Sequence, residues 1–447
     1  MATHESRLLV DALYGLQSLD PFLADLIEQP EIQRLREVRL SNINSGTLSG
    51  AANISRYEHS IGTALLAART AKALALESAD RHRLVLAALL HDVGITPYGH
   101  LMEEGFAYAG IRYDHEGRLF QILKGEAEHG THDFQIHRGQ AVGFRKVLAK
   151  RPYSTMGIDP AEVMLIIRGE GRLGPLINGT IDLDNIDNVC RMAYHIGIPY
   201  RRELSGELTQ AFALRDDSVF LRGDKLSLIN EWLRLRFRLY SALMTNPTDF
   251  AAKAMLVEAI RLGLCGAEGE RPTLSVDNWS LTDSDFMHAL ASYQPTATLI
   301  RRLELGDTYS VVGLNWVDAG RFGAAFPDIP SGCHSLRAAV AKQAKTDEAD
   351  VLFYGIRDKR VRAIARERWL GLAESAEVAD QGTGRPQVLL GCVAAKVSHM
   401  PKVRKALDAE LDARFGGEGY EACDSDAVLQ GVFAGDTTEA DGRGGLF

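Results

Sequence analysis

The sequence predicts a mainly α protein, with a large helical core and a smaller α+β region toward the C-terminus. Apolar residues recur at helical spacing through most of the first 290 positions. Helix-start signals stand at Asp20-Pro21 and Asp159-Pro160. After about residue 300, β-branched and aromatic runs appear at 309–314, 351–354 and 388–393.

The elements follow in order. After Asp20-Pro21, Leu23, Leu26, Ile27, Ile32, Leu35 and Val38 keep roughly helical spacing, with Pro30 as an interruption or kink. His59 opens an Ala- and Leu-rich helix running to Ala79. Arg81 to Leu90 predicts a second helix, which delivers His91-Asp92 at its end. Ala161 to Arg168 is a third. Gly169 to Gly179 reads as a loop. Asp182 to His195 is a helix with Ile186, Val189, Cys190 and Met192 inward. Long helices continue over Leu226–Leu243 and Asp249–Leu264. The expected divisions are 1–290, the helical core with its helical extension, then 291–415, the α+β region. Residues 416–447, rich in Gly, Asp and Glu, are expected to form a disordered acidic tail.

Composition narrows the class. A chain of 447 residues with 46% hydrophobic and 24% charged content can bury a large core without disulfides. No apolar run is long enough to span a bilayer, and Met1-Ala-Thr-His-Glu-Ser does not read as a secretory signal. Five scattered cysteines without a CxxC pair point away from a zinc knuckle and toward a reducing, cytoplasmic setting. A net charge of −9 argues against a general nucleic-acid surface. It leaves room for a local basic pocket built from arginines such as Arg34, Arg36, Arg39, Arg56, Arg201 and Arg202. The alternative for those arginines is a solvated face.

Four residues carry the chemistry: His59, His91, Asp92 and Asp184. Two imidazoles and two carboxylates can hold one divalent cation and leave positions open for water and a phosphate oxygen. An HD dipeptide alone is weak, and the chain holds a second one, His132-Asp133, in the polar stretch 126–135. His91-Asp92 differs because Leu84-Val-Leu-Ala-Ala-Leu-Leu leads into it. A buried apolar helix that ends on a carboxylate needs a cation or a metal. Gly94, Pro97 and Gly99 then end the helix. Asp182, Asp184 and Asp187 interleave with Ile181, Leu183 and Ile186, so at least one of these acids faces inward.

Arg56-Tyr-Glu-His59-Ser-Ile-Gly, His91-Asp-Val-Gly-Ile-Thr-Pro-Tyr-Gly-His100 and Ile181-Asp-Leu-Asp184-Asn-Ile-Asp-Asn-Val-Cys-Arg191 resemble the HD-domain superfamily. Within it they are similar to the deoxynucleoside triphosphate triphosphohydrolases, as are Asp11-Ala-Leu-Tyr-Gly, Leu19-Asp-Pro-Phe-Leu and Ile32-Gln-Arg-Leu-Arg36 upstream. The resemblance runs from about residue 10 to 200. It implies a helical metal-dependent phosphohydrolase core in which His59, His91, Asp92 and Asp184 ligate one divalent ion. Mn, Fe, Mg, Zn and Ni all suit that ligand set. It implies a phosphate-contacting role for Arg56, a substrate contact at His100, and a catalytic His115 oriented by Glu103. It also implies a nucleotide substrate and a homo-oligomer.

Departures from the pattern concern the substrate contacts. A histidine expected two residues after Val93 is Ile95. Asn185 replaces a basic residue, Asn188 a tyrosine and Met192 an acid, while a glutamine-leucine pair reads Leu40-Ser41. Replacement contacts are expected from the helix carrying Arg234, Arg236, Arg238 and Tyr240. The expected activity is therefore nucleotide phosphohydrolysis, with release of nucleoside and triphosphate leading. The alternatives are a phosphatase or phosphodiesterase on another nucleotide, and a catalytically weak nucleotide-sensing module.

Overall fold

The computed structural model describes residues 7–42, 45–50, 54–124, 126, 158–266, 271–379 and 386–434. His132-Asp133 lies outside them. The chain is mainly α, with small sheets concentrated after residue 210.

It opens on an antiparallel hairpin, β1 (Arg7–Asp11) with β2 (Gly15–Leu19), which helical periodicity does not announce. α1 (Pro21–Ile27) follows, its Asp20 cap accepting the Phe22 N–H. Pro30 begins a separate short helix, α2 (Pro30–Gln33), as suits a residue with fixed φ and no N–H. The core then packs α3 (Arg56–Ala73) against α4 (Ser78–Leu90). α5 (His100–Tyr108), α6 (His115–Lys124) and α7 (Pro160–Ile167) follow. α8 (Leu183–Ile196) lies against α3. Gly62 permits that approach, since a Cβ there would run into the Asp187 carboxylate and the Arg191 guanidinium.

After α9 (Leu204–Leu208) comes a hairpin of β3 (Phe212–Arg215) and β4 (Ser218–Arg222), joined in parallel by β7 (Trp369–Leu370). The long helices α10 (Leu226–Thr245) and α11 (Pro247–Cys265) match the expected spans closely. α12 (Asp283–Ala291) and α13 (Gln294–Glu304) lead into the α+β part. Its sheet has the order β6-β8-β5-β9, antiparallel throughout, from β5 (Ser310–Asp318), β6 (Val351–Arg357), β8 (Gln387–Ala394) and β9 (Tyr420–Ala422). α14 (Ala319–Ala325), α15 (Ile329–Ala344) and α16 (Met400–Phe415) cover it.

Two expectations are corrected. Residues 416–434 are ordered: β9 pairs with β5, and α17 (Ser425–Phe433) packs on α10 through a small apolar face that buries Val432. Three well-placed apolar residues, Val428, Leu429 and Val432, suffice where Gly and acid content suggested a tail. The boundary at residue 290 also fails to separate the cores. The second core draws Leu101, Met102 and Phe106 of α5 and nearly all of α11 onto the sheet. The first core holds α1, α3, α4, α7, α8 and α10. The α5 segment, which carries His100 and Glu103, thus sits at the seam between the two cores.

Candidate metal centre

Three packed helices place the metal-ligating candidates. His59 lies in the first turn of α3, His91 caps the end of α4, and Asp184 lies in the first turn of α8. Capping fixes the entry of two of these helices. Ser55 Oγ accepts the Glu58 N–H at 3.3 Å, and Asp182 accepts the Asn185 N–H at 2.7 Å. The ligand atoms of His59, His91 and Asp184 lie within 4.8 Å of one another. His59 Nε2 is 3.0 Å from Asp184 Oδ1 and 3.2 Å from His91 Nε2, and His91 Nε2 is 3.7 Å from Asp184 Oδ1. Two donors each about 2.1 Å from an ion, at roughly 90–110° to one another, stand about 3.0–3.4 Å apart, so the set fits a single cation.

Neighbouring groups fix the tautomers. His59 Nδ1 is 2.8 Å from Asp187 Oδ1, and His91 Nδ1 is 2.8 Å from the Ala88 carbonyl. Each Nδ1 then carries the proton, and each Nε2 offers a lone pair to the centre. Asp187 is fully buried. It accepts from Arg191 Nε at 2.9 Å and from the Tyr14 hydroxyl at 2.7 Å. Arg191 is tied in turn to Asp11 at 3.1 Å. Burial pushes Asp187 up, but Arg191 and His59 outweigh it and hold the carboxyl at about 2. Burial lowers His59 while Asp184 and Asp187 raise it further, to about 10, so this pocket demands a positive charge, as a proton or as a metal cation.

Asp92 occupies the rim of the cluster. Its Oδ2 lies 3.6 Å from His91 Nε2 and 3.9 Å from His59 Nε2, and it accepts from Arg56 Nη1 at 2.5 Å. Burial disfavours its charge, yet Arg56 and the two imidazoles hold it well below the usual carboxylate range. Arg56 Nη2 also reaches Asn42 Oδ1 at 3.1 Å. Arg34, by contrast, serves the fold. It is buried and donates to the carbonyls of Val93, Ile95 and Leu281 at 3.2, 2.6 and 3.0 Å. Ile95 is fully buried in the first core, and its side chain does not line the cavity.

A second cluster forms at the start of α5. Glu103 Oε1 meets His115 Nδ1 at 2.8 Å, and Glu103 Oε2 meets His100 Nδ1 at 2.9 Å. The two rings pack edge to face, 5.6 Å apart. Burial pushes Glu103 up, but the two imidazoles hold it at about 2. Burial lowers His115 and Glu103 raises it, leaving it above its ordinary value. Gly99, at φ +57°, makes the turn that starts this helix, with Tyr98 at φ +55° held by its N–H bond to Asp283.

A cavity opens here, lined by Arg56, His59, Asp92, Asp184 and His100 together with Glu104, Lys253 and Tyr354. Of the replacement contacts expected on α10, Tyr240 lines this cavity. Arg234 is exposed and is not brought to it, because it points from the helix face opposite Trp232 and Leu235. Arg236 is buried beside it, donating to Asn185 Oδ1 at 3.1 Å and to the Lys359 carbonyl at 2.8 Å. Of the positions that depart from the resembled pattern, Leu40, Ser41, Asn188 and Met192 line the cavity, and Ile95 and Asn185 do not. Sequence reasoning missed Glu104, Lys253, Tyr354 and Lys359, which come from distant segments. It also left Asp187 unassigned, although Asp187 lies three residues after Asp184 and so one helical turn along the same face.

Residues 56–137 match the family model of the HD domain. An uncharacterised protein of Bacillus subtilis is 25% identical over 246 residues, 54% of this chain and 52% of that one. Human deoxynucleoside triphosphate triphosphohydrolase SAMHD1 is 24% identical over 368 residues, 69% of this chain and 55% of its own. The chain spans about half the length of the first curated relatives it matches. A phosphohydrolase structure from Bacteroides thetaiotaomicron superposes with a TM-score of 0.62 at 16% identity, covering 87% of this chain and 99% of that one, a likeness of fold. With its HD motif at the end of α4, its metal-competent trio and this matching family model, the chain carries an HD domain, the fold it shares with the phosphohydrolase structure above.

Proposed function

We propose that this protein hydrolyses a phosphate ester or anhydride of a nucleotide, with a (deoxy)nucleoside triphosphate, split into nucleoside and triphosphate, as the leading substrate. The observation that carries the reading is the approach of His59, His91 and Asp184, with both imidazoles anchored through Nδ1. Asp92 completes the proposed ligand set. A divalent cation bound there supplies a Lewis acid for a phosphate oxygen and eases deprotonation of water.

The chain's own residues do the rest. Arg56, beside Asp92, neutralises charge that builds on the phosphate oxygens. His100 faces the cavity, with His115 behind it, and Glu103 fixes both rings through Nδ1. Their Nε2 atoms are left to hold and deliver the proton that the leaving oxygen takes up. We assign His115 as proton donor and His100 as a phosphate contact, roles that separate His115→Gln and His100→Gln variants divide by kcat and KM.

A second reading, a phosphatase or phosphodiesterase acting on another, ribo or modified, nucleotide, is favoured by Asn188 and Met192, which face the cavity where the resembled family has a tyrosine and an acid. A panel of deoxynucleoside triphosphates, ribonucleoside triphosphates and monophosphates with Mn tests both. Release of intact triphosphate supports the first reading, and release of orthophosphate the second. Tight binding without turnover across the panel contradicts both and leaves a sensing module.

A further inference from the structure

Outside the catalytic cavity the chain builds a second, differently charged hollow. It is an open cleft of about 1070 Å³ between the 175–180 segment, α10 and the loop after β6. Arg236, Lys359, Arg362 and Arg368 line it. Its one acidic lining residue, Asp358, is already engaged by Arg360 through both oxygens, at 2.9 and 2.8 Å. The positive charge is concentrated by sequence: Arg357, Lys359, Arg360, Arg362, Arg366 and Arg368 fall within twelve residues of a chain whose net charge is −9. Like charges drawn from separate segments into one cleft repel each other unless an anion joins them. Burial lowers the Arg236 guanidinium from its ordinary value, and the nearby Arg362 acts in the same direction.

The cleft is wired to the metal centre. Arg236 Nη1 and Arg362 Nη2 both donate to Asn185 Oδ1, at 3.1 and 3.2 Å. Asn185 Nδ2 in turn reaches both oxygens of Asp182, at 2.9 and 3.1 Å. Asp182 caps the helix whose first turn carries Asp184. Lys359 lines both the cleft and the catalytic cavity.

We infer that this cleft is an anion-binding site for a phosphate-bearing ligand, distinct from the metal cluster and joined to it through Asn185. Guanidinium groups offer forked donors suited to phosphate, and Lys359 adds a point charge. An anion that draws Arg236 or Arg362 away from Asn185 loosens the Asn185–Asp182 contact, and with it the start of α8. The phosphate can be the tail of a substrate seated in the catalytic cavity or a free anion, and the test separates the two. Because binding is measured in metal-free protein, the inference stands or falls without regard to turnover.

Calorimetric titration of the full chain in EDTA with inorganic tripolyphosphate is the experiment. Among the described contacts the Arg368 and Lys359 side chains hold no backbone group, and the Lys359 carbonyl that accepts from Arg236 is kept in the variant, so Arg368→Gln with Lys359→Gln is the main variant. Arg362→Gln is a second, because its loss also frees the Gly179 and Thr180 carbonyls. Each variant is expected to weaken tripolyphosphate about tenfold or more. Arg56→Gln, in the catalytic cavity, is expected to leave it within about twofold. A nucleoside triphosphate weakened by the Arg56 and cleft variants alike identifies the substrate's own tail. Weakening of tripolyphosphate by the cleft variants alone identifies a separate anion. Absence of tripolyphosphate binding to the wild type, or binding lost in Arg56→Gln and kept in the cleft variants, overturns the inference.

Discussion

His59 Nδ1 lies 2.8 Å from Asp187 Oδ1, inside a buried chain that continues to Arg191, Tyr14 and Asp11. The N-terminal hairpin therefore reaches the metal centre through two hydrogen-bonded carboxylates. A ligating imidazole held this way keeps its orientation and its basicity. Asp187→Asn keeps the side-chain volume but removes the charge. It is expected to lower divalent-metal affinity about 10–100-fold, as outer partners of ligating histidines do. Metal titration followed by calorimetry checks this, and unchanged affinity would show that the chain serves packing alone.

Tyr14→Phe tests the far end of the same chain. It deletes one hydroxyl that donates to Asp187 and leaves the ring stacked near Arg69 and Arg191. The expected loss is about 1–2 kcal/mol of stability, read by denaturant unfolding, with metal affinity shifted less than in Asp187→Asn. An equal loss of metal affinity in both variants would move the tyrosine from a supporting role to a primary one.

Arg34 should act on stability. Its guanidinium satisfies carbonyls of Val93, Ile95 and Leu281, and Arg34→Met leaves these without their donor. A loss on the order of 3 kcal/mol is expected, measured by chemical unfolding. Metal affinity per folded molecule should change little. A variant as stable as the wild type contradicts the assignment.

Much of this was legible in the sequence, for identifiable reasons. Long helices announced themselves through 3.6-residue periodicity, and Asp20-Pro21 and Asp159-Pro160 read as helix starts because a short acceptor before a proline suits a first turn, whereas Asp182, taken as the first residue of its helix, is in fact its cap. His91-Asp92 stood out because an apolar helix led into it. The hairpins stayed hidden because five-residue strands with one solvent face carry little pattern, as in β1, where Leu8 and Val10 are exposed. The far wall of the cavity was equally hidden. Glu104, Lys253, Tyr354 and Lys359 converge only through packing between segments separated by some 250 positions. Residues 416–434 misled in the opposite direction: three apolar side chains were enough to dock a helix amid polar sequence.

The His115–Glu103 pair gives a pH signature. His115 sits above its ordinary 6.5, so its contribution to stability is complete below about 6.5 and is lost as pH rises through the raised folded value. Glu103 sits near 2 against an ordinary 4.5, so its contribution is complete above about 4.5 and is lost as pH falls toward 2. The stability gap between wild type and Glu103→Gln should therefore be widest between about pH 4.5 and 6.5 and narrow on both sides. Melting temperatures across that range read it. In Glu103→Gln the His115 imidazole should titrate at lower pH, visible by NMR, and the alkaline limb of any hydrolysis should move the same way. A gap independent of pH removes the ion pair from the account.

The metal content of purified protein, compared with that of His91→Ala and Asp184→Ala and paired in each case with hydrolysis of the nucleotide panel, decides whether these side chains hold a catalytic ion. About one divalent ion is expected per wild-type chain, with that ion lost in both variants and hydrolysis lost with it. A full complement of metal in either variant, or hydrolysis that survives its removal, contradicts the claim that these residues gather around one cation to do the chemistry.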